Sequence, residues 1–283
     1  MVEKLQVTND FIFTFIFGKK GNEEILKNLI EAIIGIEIKN LEIIENTKLE
    51  KHHKEDKLGI LDVKAILDDG TKVNIEMQMV NERDIVERTL FYWSKLYTGG
   101  VKEGANYKEL PKAITINILN YNFLPDNEYH LISHLYYDKK KEIMLTDKLE
   151  VHFIDLYKFK KNITEVGDEL TAWLSFIEGS RGELVEVAVD NVKAIEQASK
   201  LLNTLKEDTQ AYSTYELRQK YLMDQASLKR AGLEEGREKG IKEGIKKGKI
   251  EVAKKLFKNG LSIEEISNIT EISLEELEKE INK

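Results

Sequence analysis

Two segments of alternating polarity, joined by Asp68-Asp69-Gly70, constrain the fold of this chain more than any other feature. Residues 58–67 form the first segment and residues 71–80 the second. In each, every second side chain is apolar, which predicts a β-strand with one face in a hydrophobic core. A three-residue loop that ends in glycine suits a tight turn, because glycine readily adopts a left-handed conformation. The sequence therefore predicts a β-hairpin.

The predicted hairpin places an acid on each strand. With the three loop residues as the turn, Asp62 lies directly opposite Glu76 on the polar face. Directly opposed Cβ atoms are about 4.5–5.5 Å apart, so two carboxylates there repel each other. A divalent cation removes the repulsion, since Mg²⁺ binds through one or two carboxylates together with substrate phosphate. The alternative is a solvated strand face on which Lys64 and Lys72 neutralise the acids.

Composition limits the class of protein. The chain has 283 residues, of which 41% are hydrophobic and 33% are charged, as in a globular protein with many exposed helices. It contains no cysteine, which excludes disulfides and thiolate metal sites. There is no N-terminal signal pattern and no apolar run long enough for a bilayer. We therefore expect a cytoplasmic protein with no membrane partner.

Charge is distributed unevenly along the chain. The net charge is −8, which argues against a protein that coats nucleic acid generally. Residues 229–258, however, carry 11 basic and 5 acidic side chains, whereas residues 259–283 carry 2 basic and 7 acidic ones. The basic segment could contact phosphates or dock on acidic parts of its own chain. The sequence is compatible with both interpretations.

Hydrophobic periodicity predicts an α/β core. Its elements, in order, are a helix over residues 22–34, a strand near residues 41–49, the two hairpin strands, a helix near residues 83–99 and a strand over residues 113–119. Asn22 is the predicted N-cap of the first helix and Gly35 its C-cap. The order is thus α-β-β-β-α-β. Two further strands are predicted near residues 131–137 and 149–157.

The pattern beyond residue 158 is helical. A glycine recurs at every fourth position from Gly232 to Gly248. Each helical glycine costs about 0.5–1 kcal/mol relative to alanine, so the repeat indicates either a docking or self-association helix or a flexible charged linker. Ser262 and Ser273 are predicted N-caps of two short final helices. The last helix is acidic, which favours contacts with protein over contacts with DNA.

Several segments together carry a family resemblance. Asp62, a spacer of 13 residues and Glu76-Met77-Gln78 resemble the PD-(D/E)xK nuclease signature in its E-x-Q form. Residues 10–18, 22–29, 88–97 and 104–116 extend the match. On these residues the chain resembles the Rpn family of recombination-promoting nucleases, also described as transposases of the PD-(D/E)xK superfamily. The resemblance implies an α/β fold, with a restriction-endonuclease-like core in αβββαβ order, a mixed sheet flanked by helices and an all-α C-terminal extension.

The same resemblance, with the helical pattern, suggests a division into four parts. These are a nuclease-like core over residues 1–160, a helical extension over residues 161–228, a basic glycine-spaced helix or linker over residues 229–258 and a small helical tail over residues 259–283. Residues 229–283 would mediate homo-oligomerisation or bind a regulatory partner.

The implied function is a DNA endonuclease that depends on Mg²⁺ or another divalent cation. It would hydrolyse phosphodiester bonds in recombination, mobile-element or phage-defence biology. One alternative is a catalytically weak or inactive nuclease-fold protein that binds DNA or acts as an assembly module. Another is a toxin-like or phage-defence nuclease that is regulated through its C-terminal helices.

The resemblance also implies roles for individual acids. Asp62 and Glu76 would hold the cation beside the scissile phosphate, where it would activate a water. Glu24 matches a position at which the superfamily often supplies a third acid. Its alternative role is that of a first-turn acid, which the helix dipole favours.

Gln78 occupies the usual lysine position of the motif. Its amide could orient the attacking water, but it brings no positive charge to the transition state. Lys64, on the same face, is the nearest candidate for that charge. Arg88 could bind a DNA phosphate. Among the histidines, His130 and His134 have helical metal spacing but lie in a predicted strand with no third ligand nearby, so a core or surface role is expected.

Overall fold

The structure is a computed structural model that describes residues 5–44, 63–81, 83–101, 104 and 106–281. The contacts between Cα atoms divide the chain into two compact units, Met1–Gln219 and Lys220–Lys283. The four-part division suggested by the sequence stays a prediction.

The first unit contains a six-stranded mixed sheet. Its strands in chain order are β1 (Leu41–Ile43), β2 (Val63–Leu67), β3 (Lys72–Gln78), β4 (Ala113–Leu119), β5 (His130–Tyr137) and β6 (Lys140–Asp155). Their order across the sheet is β1-β2-β3-β4-β6-β5. Strands β3, β4 and β6 run parallel, and the others pair antiparallel to their neighbours. Because β3 and β4 are central, residues on them are held between paired strands.

The hairpin of β2 and β3 has the predicted register. Val63 pairs with Ile75, and the amide of Leu67 donates to the carbonyl oxygen of Thr71 at 2.8 Å. Gly70 has a φ of +83°, as the turn requires. In this register the residue opposite Glu76 would be Asp62, which lies outside the described residues. Residues 45–49 of the predicted first strand also lie outside them. The pairing of Asp62 with Glu76 therefore stays a prediction.

Helices flank the sheet on both faces. In the first unit they are α1 (Asp10–Phe17), α2 (Glu23–Ile34), α3 (Ile85–Thr98), α4 (Leu156–Asn162), α5 (Glu169–Glu178), α6 (Gly182–Asn191) and α7 (Lys193–Glu207), and α8 (Thr209–Lys258) begins there. The predicted α-β-β-β-α-β order is confirmed by α2, β1, β2, β3, α3 and β4. The mixed sheet flanked by helices confirms the predicted fold class.

The main hydrophobic core lies on one face of the sheet. The apolar side chains of β3, including Ile75 and Met77, are buried there with residues of α1, α2 and α5. Phe17 and Trp173 contribute an edge-to-face ring pair with centroids 5.5 Å apart. The removal of this apolar surface from water is the main source of the free energy that holds the helices on the sheet.

The ends of α2 and β6 differ in part from the predictions. Gly35 closes α2 in a left-handed conformation, as expected. Asn22 is the N-cap residue, as predicted, but its side chain makes no capping hydrogen bond, and its Nδ2 donates to the carbonyl oxygen of Ile16 at 2.8 Å. Strand β6 begins at Lys140, nine residues before the predicted start. Its first residues pair with β5 alone, where charged side chains obscure the alternation.

The second unit is helical. It contains the later part of α8, together with α9 (Ile263–Thr270) and α10 (Leu274–Ile281), around a small core of Ala253, Ile266, Ile272 and Leu277. Ser262 and Glu265 form the predicted capping box. The glycine repeat is helical, and a Cβ atom added at each glycine would meet, beyond its own stretch of helix, no described atom within 4 Å. No helix among the described residues is long and apolar enough to cross a membrane.

Candidate active site

Glu76 lies on the central strand β3 and is only 2% exposed. The alternating pattern of β3 also allowed a solvated polar face, but that alternative is wrong for the described residues. Helix α3 packs on this face, so Asn74 and Glu76 are buried although they are polar. A buried carboxylate needs hydrogen bonds or a cation to offset the loss of hydration. Glu76 is therefore a candidate active-site residue.

Two neighbouring amides hold the Glu76 carboxylate. Asn74 Nδ2 donates to Oε1 at 3.4 Å, and Gln78 Nε2 donates to Oε2 at 3.1 Å. All three side chains point to the same face of β3, since they are two residues apart. Burial raises the pKa of Glu76, while the charge of Arg88 and the hydrogen bonds from Gln78 and Asn74 act in the opposite direction. The surroundings thus bring both amide donors and positive charge to this carboxylate.

Helix α3 is fixed above the site by a buried polar contact. Thr89 Oγ1 donates to Asn117 Oδ1 at 3.0 Å, and Asn117 Nδ2 donates to the carbonyl oxygen of His152 at 3.2 Å. Asn117 is the partner of Glu76 in the parallel pairing of β3 with β4. The same helix carries Arg88, which approaches Glu76 and lies 5.9 Å from the ring centre of Tyr92. The helix therefore positions the arginine relative to the acid.

Two buried oxygen atoms beside Glu76 have no hydrogen-bond partner among the described residues. They are Asn74 Oδ1 on β3 and Thr115 Oγ1 on β4, and these two residues pair with each other in the sheet. An unsatisfied buried acceptor is costly, on the order of 1–3 kcal/mol. Magnesium and similar hard cations prefer oxygen ligands. The donor chemistry on this face therefore fits a divalent cation.

The other predicted site residues are placed differently. Lys64 is half-buried on the same face as Glu76 but pairs with Asn74, and burial lowers its pKa. Glu24 is exposed in the first turn of α2, which packs in the core on the opposite face from Glu76. Among the described residues, no group of three or more acids or histidines is arranged to hold a metal ion. Asp62 lies outside those residues, so its role as a ligand stays a prediction.

A cluster of charged and imidazole groups on the other face of the sheet was not predicted. Glu150 accepts a hydrogen bond from Lys112 Nζ at 2.6 Å and lies 2.8 Å from His152 Nε2 and 3.2 Å from His134 Nε2. His152 Nδ1 is in turn 3.0 Å from His130 Nε2. The prediction of core or surface roles for His130 and His134 did not foresee this network. The signal was the strand spacing of Glu150 and His152, which share one face of β6.

The mixed sheet with helices on both faces, and the E-x-Q motif on its central strand, define a nuclease-type α/β protein. A family model described as PD-(D/E)XK nuclease family transposase matches residues 7–232. The chain belongs to this family, which confirms the resemblance drawn from its motifs. Searches of curated proteins and of solved structures found no match.

Proposed function

We propose that this protein is a DNA endonuclease that depends on Mg²⁺ or another divalent cation and hydrolyses phosphodiester bonds. The observation that carries the proposal is the buried Glu76 carboxylate. It lies on the central strand between two amide donors, beside oxygen atoms that lack a partner in the described part of the chain. Membership of a nuclease family of transposases supports DNA as the substrate. It also supports a role in recombination, mobile-element or phage-defence biology.

Asp62 and Glu76 are the proposed cation ligands. Glu24 is exposed on α2, which packs on the opposite face of the sheet, so we do not propose it as a third ligand. When bound, the cation would polarise the scissile phosphoryl oxygen and lower the pKa of the attacking water. The side-chain oxygen of Asn74, which accepts no hydrogen bond from the described residues, can orient a water or a hydrated ligand next to Glu76. Burial by α3 strengthens each of these polar contacts, because the local dielectric is low.

Gln78 is the proposed water-orienting residue. One of its amide hydrogens contacts Glu76 Oε2, which leaves the amide oxygen and the second hydrogen for water. Since the amide is neutral, positive charge must come from other side chains. Lys64, displaced by two residues along the same strand face, supplies it toward a flanking phosphate, and Arg88 on α3 supplies it toward a DNA phosphate.

A second candidate function is a catalytically weak or inactive DNA-binding or assembly module. The neutral Gln78 at the usual lysine position favours it, because a missing catalytic donor can cost about 2.7–4 kcal/mol of transition-state stabilisation. Under this function the protein would bind DNA without cutting it.

Residues 229–283 are the proposed site of self-association or of a regulatory partner. Within α8, the apolar side chains of Ile241, Ile245 and Val252 are each about half exposed. Apolar side chains that recur along one helix are typical of helix–helix contacts. If the protein is a regulated toxin-like or phage-defence nuclease, these same apolar contacts would be the site of its regulation.

The test is cleavage of supercoiled plasmid by the purified protein, with Mg²⁺ or with EDTA. Nicked or linear product should form with Mg²⁺ and be absent with EDTA. Asp62→Ala and Glu76→Ala should each abolish it. Cleavage that persists in both variants would refute the site, and DNA binding without any cleavage would support the second candidate. Glu142→Ala, an exposed acid on β6, is the matched control.

A further inference from the structure

A pocket of about 650 Å³ lies on the same side of the sheet as Glu76, near the start of β3. Its volume is within the range of about 300–1,000 Å³ that is typical of small-ligand sites. The walls are mostly aliphatic and include Ile44, Ile66 and Val101. Lys64 and Lys72 add two positive charges to this apolar lining. Such a combination fits a ligand with one anionic and one apolar part.

The two lysines differ in their contacts. Lys72 Nζ donates to the carbonyl oxygens of Leu96 and Gly99 at the end of α3, so it is held in place. Lys64 is half-buried on the same strand face. Burial lowers the pKa of Lys72, and the nearby charge of Lys64 lowers it further. A bound anion would relieve this repulsion between like charges.

One acid also lines the pocket. Glu109 is exposed, and its Oε1 accepts a hydrogen bond from Asn106 Nδ2 at 3.3 Å. Its charge is screened by solvent, whereas the lysines are partly buried. Among the described residues that line the pocket, the positive charges therefore outweigh the negative one.

The pocket adjoins the candidate active site along the strand. Lys64 pairs with Asn74, two residues from Glu76, and Lys72 is four residues from Glu76. At a strand rise of about 3.3 Å per residue, Lys64 is displaced by roughly 7 Å from Glu76 along β3. That displacement equals about two nucleotide steps of a duplex, at about 3.4 Å each. A DNA strand that is cleaved at Glu76 and follows β3 would thus bring the second nucleotide from the cleaved bond to Lys64.

We propose that this pocket binds an unpaired nucleotide two steps along the strand from the cleaved bond. Lys64 contacts the phosphate of that nucleotide, and the walls formed by Ile44, Ile66 and Val101 enclose its base. A base inside a duplex is stacked and cannot enter a concave pocket, so the substrate is DNA with a single-stranded or flipped nucleotide at this position. The inference rests on the proposed nuclease function and specifies its substrate class.

The experiment measures binding by fluorescence anisotropy in EDTA, so that no cleavage occurs. One labelled duplex carries two unpaired central nucleotides, and a second duplex of the same sequence is fully paired. Lys64→Met keeps the length of the side chain and removes its charge. Val101→Trp fills the pocket from an exposed position. Lys140→Met, an exposed lysine on β6, is the matched control, and thermal unfolding verifies that each variant folds.

The wild-type protein should prefer the duplex with unpaired nucleotides. Lys64→Met should weaken binding about tenfold and reduce the slope of log K against log salt by about one, because one phosphate contact is lost. Val101→Trp should weaken binding of the unpaired substrate about tenfold, with no change in the salt slope or in binding of the paired duplex. Lys140→Met should bind both like the wild type.

An unchanged salt slope in Lys64→Met, or equal effects of Val101→Trp on both duplexes, would overturn the inference. Displacement of the oligonucleotide by micromolar thymidine monophosphate would also overturn it, since the ligand would then be a free nucleotide. A wild type that cuts plasmid while both pocket variants bind normally refutes the pocket alone. A wild type that binds as predicted but never cuts refutes the nuclease function alone, and one that binds no DNA refutes both.

Discussion

Gln78 Nε2 donates a hydrogen bond to Glu76 Oε2 over 3.1 Å, along one face of β3. This contact fixes the orientation of the carboxylate and commits one hydrogen of the neutral amide, at the lysine position of the PD-(D/E)XK motif. Because Gln78 carries no positive charge, we expect it to limit the rate of cleavage more than it limits cation binding.

Replacement of Gln78 by lysine tests this relationship. Gln78→Lys should raise the single-turnover cleavage rate about tenfold or more, because a charged donor stabilises the transition state better than a neutral one. Gln78→Ala should lower it by a similar factor. Gln210→Lys, at an exposed position of α8, should leave the rate unchanged. Equal rates in all four proteins would show that position 78 has no part in the reaction.

The Thr89–Asn117 hydrogen bond should stabilise the packing of α3 over Glu76. Thr89→Val leaves a buried amide oxygen without its donor, so the free energy of unfolding should fall by about 1–3 kcal/mol. Urea denaturation measures this change. The control is Thr98→Val on the same helix, whose hydroxyl donates to the carbonyl oxygen of Ser94 in an exposed region. Its effect should stay within about 0.5 kcal/mol, and equal losses in the two variants would argue against a special role for Thr89.

The histidine cluster should make stability depend on pH. Burial and the neighbouring His152 lower the pKa of His130 from 6.5 to about 4. The unfolded state then binds more protons between these values, so stability is fully present above about pH 6.5 and is lost progressively as the pH falls toward 4. The Tm of the wild type should decrease as the pH falls from 6.5 to 4, and the Tm of His130→Asn should decrease less steeply. The same slope in both proteins would contradict this origin of the pH dependence.

Glu150 should add a loss of stability at lower pH. Burial acts to raise its pKa, but the hydrogen bonds to His152, Lys112 and His134 outweigh burial and hold the pKa below 4.5. Its contribution is therefore present above about pH 4.5 and is lost as the pH falls below that value. In Glu150→Gln the decrease in Tm below pH 4.5 should be shallower than in the wild type. An unchanged decrease would exclude Glu150 as its cause.

The proposed association through residues 229–283 can be tested by mass. A chain that ends at Gln219, the boundary of the first unit, should be monomeric by light scattering. The full chain should have a multiple of its monomer mass, 32.7 kDa. Ile245→Glu should shift the full chain toward monomer, because it places a charge on an exposed apolar position. A monomeric full chain would leave a regulatory partner as the remaining role of this region.

The hairpin and β4 could be predicted from the sequence because local signals determine them. Alternation sets the faces of the strands, and Gly70 accommodates the positive φ of the turn. The packing of α3 over Glu76 could not be predicted in this way, because a polar strand face has the same sequence pattern whether solvent or a helix lies on it. The histidine network was also not predicted from the sequence, because it depends on the pairing of β5 with β6, which joins residues about 20 positions apart in the chain.

The most direct test of the central claim is single-turnover cleavage of supercoiled plasmid over a Mg²⁺ titration, comparing wild type with Glu76→Gln. This substitution keeps the shape of the side chain and removes its charge. The wild type should show saturable, Mg²⁺-dependent cleavage, and Glu76→Gln should lose at least about 100-fold in rate, because it lacks an anionic cation ligand. Cleavage by Glu76→Gln at the wild-type rate and Mg²⁺ dependence would contradict a metal site built on Glu76.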